Sequence, residues 1–150
     1  MDQVTRFRTI GPTTYLCPIP AVMLGCANPE DGAPNLITVA WTGTVCTNPP
    51  MVYISVRPER YSYSILKETK TFVINLTTEK LLKATDYCGV RSGRDVDKFK
   101  ETGLTAIPGP VTGCPMVAES PVNLECKVKE VKALGSHDMF LAEVVAVHVS

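Results

Sequence analysis

The stretch Asn35-Leu-Ile-Thr-Val-Ala-Trp-Thr-Gly-Thr-Val-Cys-Thr-Asn-Pro-Pro-Met-Val-Tyr-Ile-Ser-Val-Arg57 decides the reading of this chain. Ile37 and Val39 alternate with Thr38, the period of a strand with one buried face. Trp41-Thr-Gly-Thr-Val-Cys46 then reads as a loop of small residues, hydroxyls and free backbone N–H groups beside one indole. Pro49-Pro50 ends it. Met51–Val56 is a further strand, almost continuously apolar and so central in its sheet. A large flat ring next to hydroxyls and backbone donors suits a planar, hydrogen-bonding ligand.

Working outward, Ala21–Ala27 reads as a buried strand. It is joined to Asn35–Ala40 through Asn28-Pro-Glu-Asp-Gly-Ala-Pro34, a turn whose Gly supplies backbone freedom and whose prolines fix the flanks. Ser62–Lys67 predicts a short helix, and Thr71–Leu76 a strand of β-branched and aromatic residues. Thr78–Cys88 predicts a helix with Thr78 as N-cap and Gly89 past its end. Asp95 is the expected cap of another short helix that stops at Gly103. Val122–Val131 is the clearest alternation: Val122, Leu124, Cys126 and Val128 face one way, and Asn123, Glu125, Lys127 and Lys129 the other. Gly135-Ser-His-Asp138 is a tight turn, and Met139–Val149 the returning strand. These elements predict a mainly β, six-stranded antiparallel barrel with short peripheral helices. Residues 1–150 form a single domain.

Twelve prolines and ten glycines punctuate the chain often, favouring short strands over long helices. Lys and Arg number fifteen, as do Asp and Glu, so the clustered positive charge of a nucleic-acid-backbone grip is missing. No apolar run reaches the ~18 residues of a membrane span. The amino terminus, Met1-Asp-Gln-Val-Thr-Arg-Phe-Arg8, has no apolar leader core, and a cytoplasmic location is expected. Six cysteines include no Cys-x-x-Cys pair, so neither a zinc ribbon nor a dithiol couple is expected. Reduced thiols are expected instead.

Hydrolytic and metal-dependent mechanisms lack parts. There are two histidines. His148 lies in the last apolar strand and reads as structural; His137 lies in a turn, from which side chains can reach a site. Anion-binding segments are better represented. Arg57 closes a strand and is followed by Pro58, Arg60, Ser62 and Ser64, placing hydroxyls near a helix start beside arginines. Arg91-Ser-Gly-Arg-Asp-Val-Asp-Lys98 supplies Ser92, Gly93 and Lys98 in a second such segment. No Gly-x-Gly-x-x-Gly or Walker-type loop is present. What remains is a mononucleotide with one phosphate and a flat ring.

These residues are similar to those of a known family. Asn35–Trp41, Pro49-Pro50, Ser55-Val-Arg57, Phe72-Val-Ile-Asn75, Ser92-Gly93 through Asp97-Lys98-Phe99, Leu124-Glu-Cys126 and Gly135-Ser-His137 together resemble the FMN-binding split-barrel proteins, in their flavin reductase-like, flavoredoxin-type branch. The resemblance spans about Ile19 to Val147. It implies a six-stranded barrel paired as a homodimer around FMN. It implies that Trp41, Thr42, Gly43, Thr44 and Cys46 lie along the isoalloxazine, and that Arg57 and Ser62 hold phosphate and ribityl. Asn75 and Leu76 are implied near the ring or ribityl, Ser92, Gly93 and Lys98 near the phosphate, and His137 at the flavin edge, where it is the one side chain with a possible catalytic part. Members commonly run some tens of residues past the position of Ser150, in a part that contributes to the subunit interface. The implied activity is electron transfer or flavin reduction, with NAD(P)H or a protein as electron donor. Two alternatives stay open: the NAD(P)H:flavin oxidoreductase component of a two-component monooxygenase, and a non-catalytic β-barrel binding module.

Overall fold

The alternating stretch that begins at Val122 folds as one of the two longest strands, and the main sheet is arranged around it. The computed structural model describes residues 6–150, so the reading of residues 1–5 as part of a leaderless terminus lies outside the described residues. In chain order the elements are β1 (Val22–Ala27), β2 (Pro34–Val39), β3 (Thr42–Cys46), β4 (Met51–Val56), α1 (Tyr61–Thr69) and β5 (Thr71–Asn75). A 3-10 turn (Glu79–Leu81) leads into α2 (Leu82–Val90). Then come α3 (Lys98–Thr102), β6 (Ala106–Pro108), β7 (Pro115–Val117), β8 (Val122–Ala133) and β9 (Asp138–Val149).

The main sheet has seven strands in the order β2-β1-β5-β8-β9-β4-β3, with β6 and β7 as a separate ribbon. Its pairs are antiparallel. The expected six strands become seven because Thr42–Cys46 is a strand and not a loop. Thr42 pairs with Ile54 and Cys46 with Met51, with an irregular step between Thr44 and Cys46. Small residues serve here because β3 is a sheet edge: its ladder to β4 holds it, while Thr44 and Val45 stay exposed.

β2 and β3 are consecutive in sequence yet lie at opposite edges of the sheet. The sheet therefore curls, and β2 comes back against β4 without joining it in a ladder. Inside the curl, Leu24, Ile37, Ile54, Val56, Phe72 and Phe140 form the core, and Ile65 and Leu66 of α1 plug it. Burying each such side chain is worth roughly 1.5–3 kcal/mol. Met23 and Leu36 point to the opposite face and meet Leu81, Cys88 and Phe99 under α2 and α3. β1 and β2 are thus covered on both faces, which explains the unbroken apolar run Val22-Met-Leu. Gly25 sits where β7 crosses β1, and a Cβ there would collide with the Pro115 carbonyl.

Boundaries shift by small amounts. Thr78 precedes the 3-10 turn without a side-chain cap bond, and Gly89 lies inside α2 against Thr38. Asp97, not Asp95, caps α3, its carboxylate accepting from Lys100 N at 3.1 Å. Gly103 ends that helix in the left-handed region, φ 72°, as expected. β8 and β9 form the expected hairpin, closed where Leu134 N donates to the His137 carbonyl at 3.2 Å.

Glu125 departs from the expected polar face and is fully buried. Its carboxylate accepts from Val111 N at 3.1 Å, Thr112 N at 2.8 Å and Thr112 Oγ1 at 2.9 Å. His148 Nε2 lies 2.7 Å from the other oxygen, which gives that histidine the structural part expected of it. Burial alone would push the carboxyl up; the His148 ring and the loop donors outweigh it and hold it below the ordinary range.

Candidate functional site

A groove runs along the line where β2 and β4 face each other. β2 delivers Trp41 just past its end, and the turn before β9 delivers His137. The two rings stack with centroids 4.3 Å apart at a tilt of 39°. Trp41 is anchored through its carbonyl, which accepts from Ser55 N at 2.9 Å, while 37% of the residue stays exposed. Together with the backbone of Thr38–Ala40 and with Ser55, Arg57 and Arg60, the rings wall a cavity of about 210 Å³. The His137 ring is held below its ordinary pKa, first by burial and then by the Arg57 charge, against a smaller pull from Glu59. At neutral pH this end of the groove is flat, aromatic and uncharged on the imidazole.

Arg57 is exposed and stands 3.7 Å from Glu59, a loose surface pair worth little by itself. Arg60 is better fixed, donating from Nη2 to the Gly89 carbonyl at 2.9 Å. It also lines a second cavity of about 290 Å³, with Ser62, Ser92, Gly93, Arg94 and Lys98 among the walls. Because Ile37 and Arg60 belong to both cavities, the two form one groove. Ser92 Oγ accepts from Arg94 N at 3.1 Å, which folds the loop tightly. Gly93 packs on the Asn35 amide and the Tyr61 ring so closely that a Cβ would not fit. Ser62 Oγ accepts from Asn35 Nδ2 at 2.8 Å.

Lys98 is buried, and its ammonium donates to Leu36 O at 2.7 Å and Cys88 O at 2.8 Å. It ties β2 to α2 and still lines the second cavity with one donor left over. Burial lowers its pKa to about 8; the Arg60 charge adds to this, and the Cys88 and Cys26 thiols oppose it. All six cysteines are free, with Cys26, Cys88, Cys114 and Cys126 buried.

The fold therefore brings together Trp41, His137 and Arg57 at one end of the groove, and Ser62, Ser92, Gly93 and Lys98 at the other. It sets apart six residues expected beside them. Gly43, Thr44 and Cys46 travel with β3 to the far edge of the sheet; Gly43 lies over the Tyr53 ring, and Cys46 Sγ donates to Pro49 O at 3.1 Å. Thr42 donates to Tyr53 O at 2.8 Å and faces a different cavity, under Tyr15 and Leu16, which it shares with Trp41. Asn75 is fully buried in a structural net, donating to Met23 O at 3.1 Å and accepting from Val117 N at 2.9 Å. The Leu76 carbonyl accepts from Ser120 Oγ at 2.6 Å. Neither Asn75 nor Leu76 lines the groove. Sequence reading passed over Thr38, Tyr61, Arg91 and Arg94. Arg91 and Arg94 flank Ser92-Gly93, and that spacing was the available signal.

Comparison with known proteins agrees with this architecture. The profile of the family described as "Flavin reductase like domain" matches residues 15–150. A solved flavoredoxin of Desulfovibrio vulgaris (Miyazaki F) is 30% identical with a TM-score of 0.88, covering 96% of this chain and 76% of that one. A solved FMN-binding protein from Thermus thermophilus, with bound 1-cyclohex-2-enone, is 25% identical with a TM-score of 0.83, covering 95% of this chain and 79% of that one. A protein of Aeropyrum pernix is 34% identical over 110 residues, which is 73% of this chain and 42% of the relative. Matched stretches span 42% to 64% of the length of this and the two similar relatives from Archaeoglobus fulgidus and Pyrococcus abyssi.

Proposed function

Because the chain belongs to the flavin reductase like domain family, we propose that it binds FMN in the groove between β2 and β4 and serves as a flavoprotein that passes electrons on. The observation that carries this reading is the single groove with an aromatic pair at one end and a donor cluster at the other. A flat ring fits beside Trp41 and His137, and the backbone from Thr38 to Ala40 offers it hydrogen bonds. The fit at the phosphate end is chemical. Arg60 has guanidinium donors beyond the one given to Gly89, Lys98 has one left over, and Ser62 and the tight Ser92-Gly93 turn add polar groups. The FMN-binding relative from Thermus thermophilus and the flavoredoxin from Desulfovibrio vulgaris support the same cofactor class.

Bound flavin supplies the redox chemistry, taking up and releasing electrons singly or in pairs. The chain's part is to hold the ring, exclude water and set its electrostatic surroundings. His137, uncharged at neutral pH, adds no positive charge at that end, while Arg57 does. The donor is a nicotinamide nucleotide or an electron-carrying protein. Two copies pair in this reading, since Tyr15, Leu16 and the Trp41 ring present apolar surface beside the groove. The location is cytoplasmic, in keeping with described helices none of which is long and apolar enough to cross a membrane.

Anaerobic titration of the FMN-loaded protein tests the reading. Added FMN should gain a protein-bound absorbance spectrum, and a nicotinamide nucleotide or a reduced carrier protein should bleach it. A chain that leaves the FMN spectrum and fluorescence unchanged is a binding module for something else.

A further inference from the structure

We propose that Tyr63 is a positioning residue for the ring end of the groove: its hydroxyl, bonded to Asp138, fixes the turn that sets His137 against Trp41. The proposal rests on the FMN reading above and deepens it. Asp138 opens β9 directly after His137, where it pairs with Val56 of β4 and Ala133 of β8. The residue is buried, and among the described residues the one side chain that donates to its carboxylate is Tyr63, through the hydroxyl. A buried carboxylate needs such a donor, so the contact pins the start of β9 to α1.

Tyr63 is itself held. Its ring meets Phe140 edge to face, with centroids 5.8 Å apart at 76°. Lys67 Nζ donates to the same hydroxyl at 3.3 Å and stands 5.5 Å from the ring centroid. Tyr63 N donates to the Arg60 carbonyl at 3.0 Å, and Arg60 N to the Arg57 carbonyl at 3.0 Å. The turn of chain that carries Arg60 and Ser62 to the phosphate end thus also carries the hydroxyl that fixes the ring end. The other bonds of the His137 turn are internal to it. Ser136 Oγ lies 2.8 Å from His137 Nδ1, which orients the imidazole without tying it to the barrel, and Leu134 N donates to the His137 carbonyl. Arg57 and Glu59 are the charged groups that act on the His137 ring, while Asp138 and Lys67 are engaged with Tyr63. Without the Tyr63 hydroxyl, the imidazole is free to swing off the indole into water.

The test follows the quenching of Trp41 emission by protonated His137 in flavin-free protein as pH falls. Wild type, Tyr63→Phe, Asp138→Asn and Asp138→Ser are compared, FMN and riboflavin affinities are measured on each, and circular dichroism checks folding. Tyr63→Phe removes the hydroxyl alone and keeps the packing on Phe140. It should lose most of the quenching amplitude and move the midpoint up toward 6.5, because the ring leaves the burial that lowers its pKa. It should also weaken FMN and riboflavin by one common factor of roughly three or more. Asp138→Asn still accepts from the phenol and should stay close to wild type. Asp138→Ser cannot reach the phenol and should reproduce Tyr63→Phe, which keeps the test intact if the phenylalanine variant does not fold. A folded Tyr63→Phe that melts earlier but keeps the wild-type amplitude and midpoint overturns the proposal. So does an affinity loss confined to FMN, which would place the effect at the phosphate. Failure of both flavins to bind folded wild type sinks the FMN reading alone; the quenching arm needs no flavin and still supports or overturns the placement of His137 by Tyr63.

Discussion

The Trp41 indole and the His137 imidazole, ninety-six positions apart in sequence, stack with ring centroids 4.3 Å apart. Trp41 is the only tryptophan of the chain, so tryptophan emission reports on this one position. The contact is made across the sheet, between the end of β2 and the turn that opens β9. It therefore also reports whether β2 and the turn before β9 are in place.

A protonated imidazole quenches a stacked indole by accepting an electron from its excited state. Burial and the Arg57 charge lower the His137 pKa, so the quenching step should have a midpoint below the ordinary value of 6.5. The sign for stability follows. The unfolded ring takes its proton first as pH falls, so this group destabilises the fold progressively below about pH 6.5. A fluorescence titration of wild type and His137→Asn checks both points. A midpoint above 6.5 would overturn the lowered pKa, and the same step in the variant would show that the rings do not communicate.

Arg60 lines both halves of the groove and is fixed on Gly89, which makes it the best-placed cation for a phosphate. A charge-assisted hydrogen bond is worth about 1.5–3 kcal/mol, so Arg60→Gln should weaken FMN roughly 10- to 150-fold. Riboflavin, which has no phosphate, should lose much less. Isothermal titration with both ligands decides: equal losses would assign Arg60 to the ring or to the fold.

Lys98 gives a pH signature. Its pKa of about 8 in the protein means that the ammonium is charged at pH 7 and mostly neutral by pH 9. A phosphate dianion favours the charged form, so FMN affinity should fall as pH rises through about 8, and Lys98→Met should be weaker and flat over that range. Stability moves the other way. The unfolded side chain keeps its proton up to about 10.5, so wild type should gain stability between roughly pH 8 and 10.5 relative to Lys98→Met. Denaturant melts across that window, paired with FMN titrations, separate the two effects. Parallel pH curves for wild type and variant would refute both.

Glu125 ties the 109–114 loop to the barrel and meets His148. Its carboxyl is held below the ordinary range, so its contribution is present above about pH 4.5 and is lost as pH falls through the lowered folded value. Glu125→Gln should destabilise by about 1–3 kcal/mol at pH 7, because buried donors lose a charged acceptor. The gap to wild type should close in acid. Urea midpoints at pH 7 and pH 3 measure it; a constant gap would mean that charge plays no part.

Much of the sheet was legible because burial writes a period into it. Val122 to Val128 alternated, and β8 followed; Met51–Val56 was unbroken, but β4 lies next to the edge strand β3, and the central strand is β8. β3 was not legible, since Gly43 interrupts its β-branched Thr42, Thr44 and Val45 and no one-sided apolar pattern marks it. Its ladder to β4 is a tertiary fact that no local window contains. The site divided in the same way. Trp41, His137 and the Ser92-Gly93 turn were visible as residue types in loops. Arg94 looked like surface charge until the fold set it over Tyr61. The family resemblance implied Asn75 near the ring or ribityl, but its amide is engaged inside the core by Met23 and Val117.

β2 ends the sheet and pairs with β1 alone. Its outer backbone groups face the groove with no ladder partner, and Ile37 to Ala40 lie there beside β4. A molecule seated between the two strands acts as mortar for this seam. Without it, the edge is a template on which a strand of another molecule can add. In the proposed reading solubility and flavin loading are thereby coupled: flavin-depleted preparations should cloud first on warming.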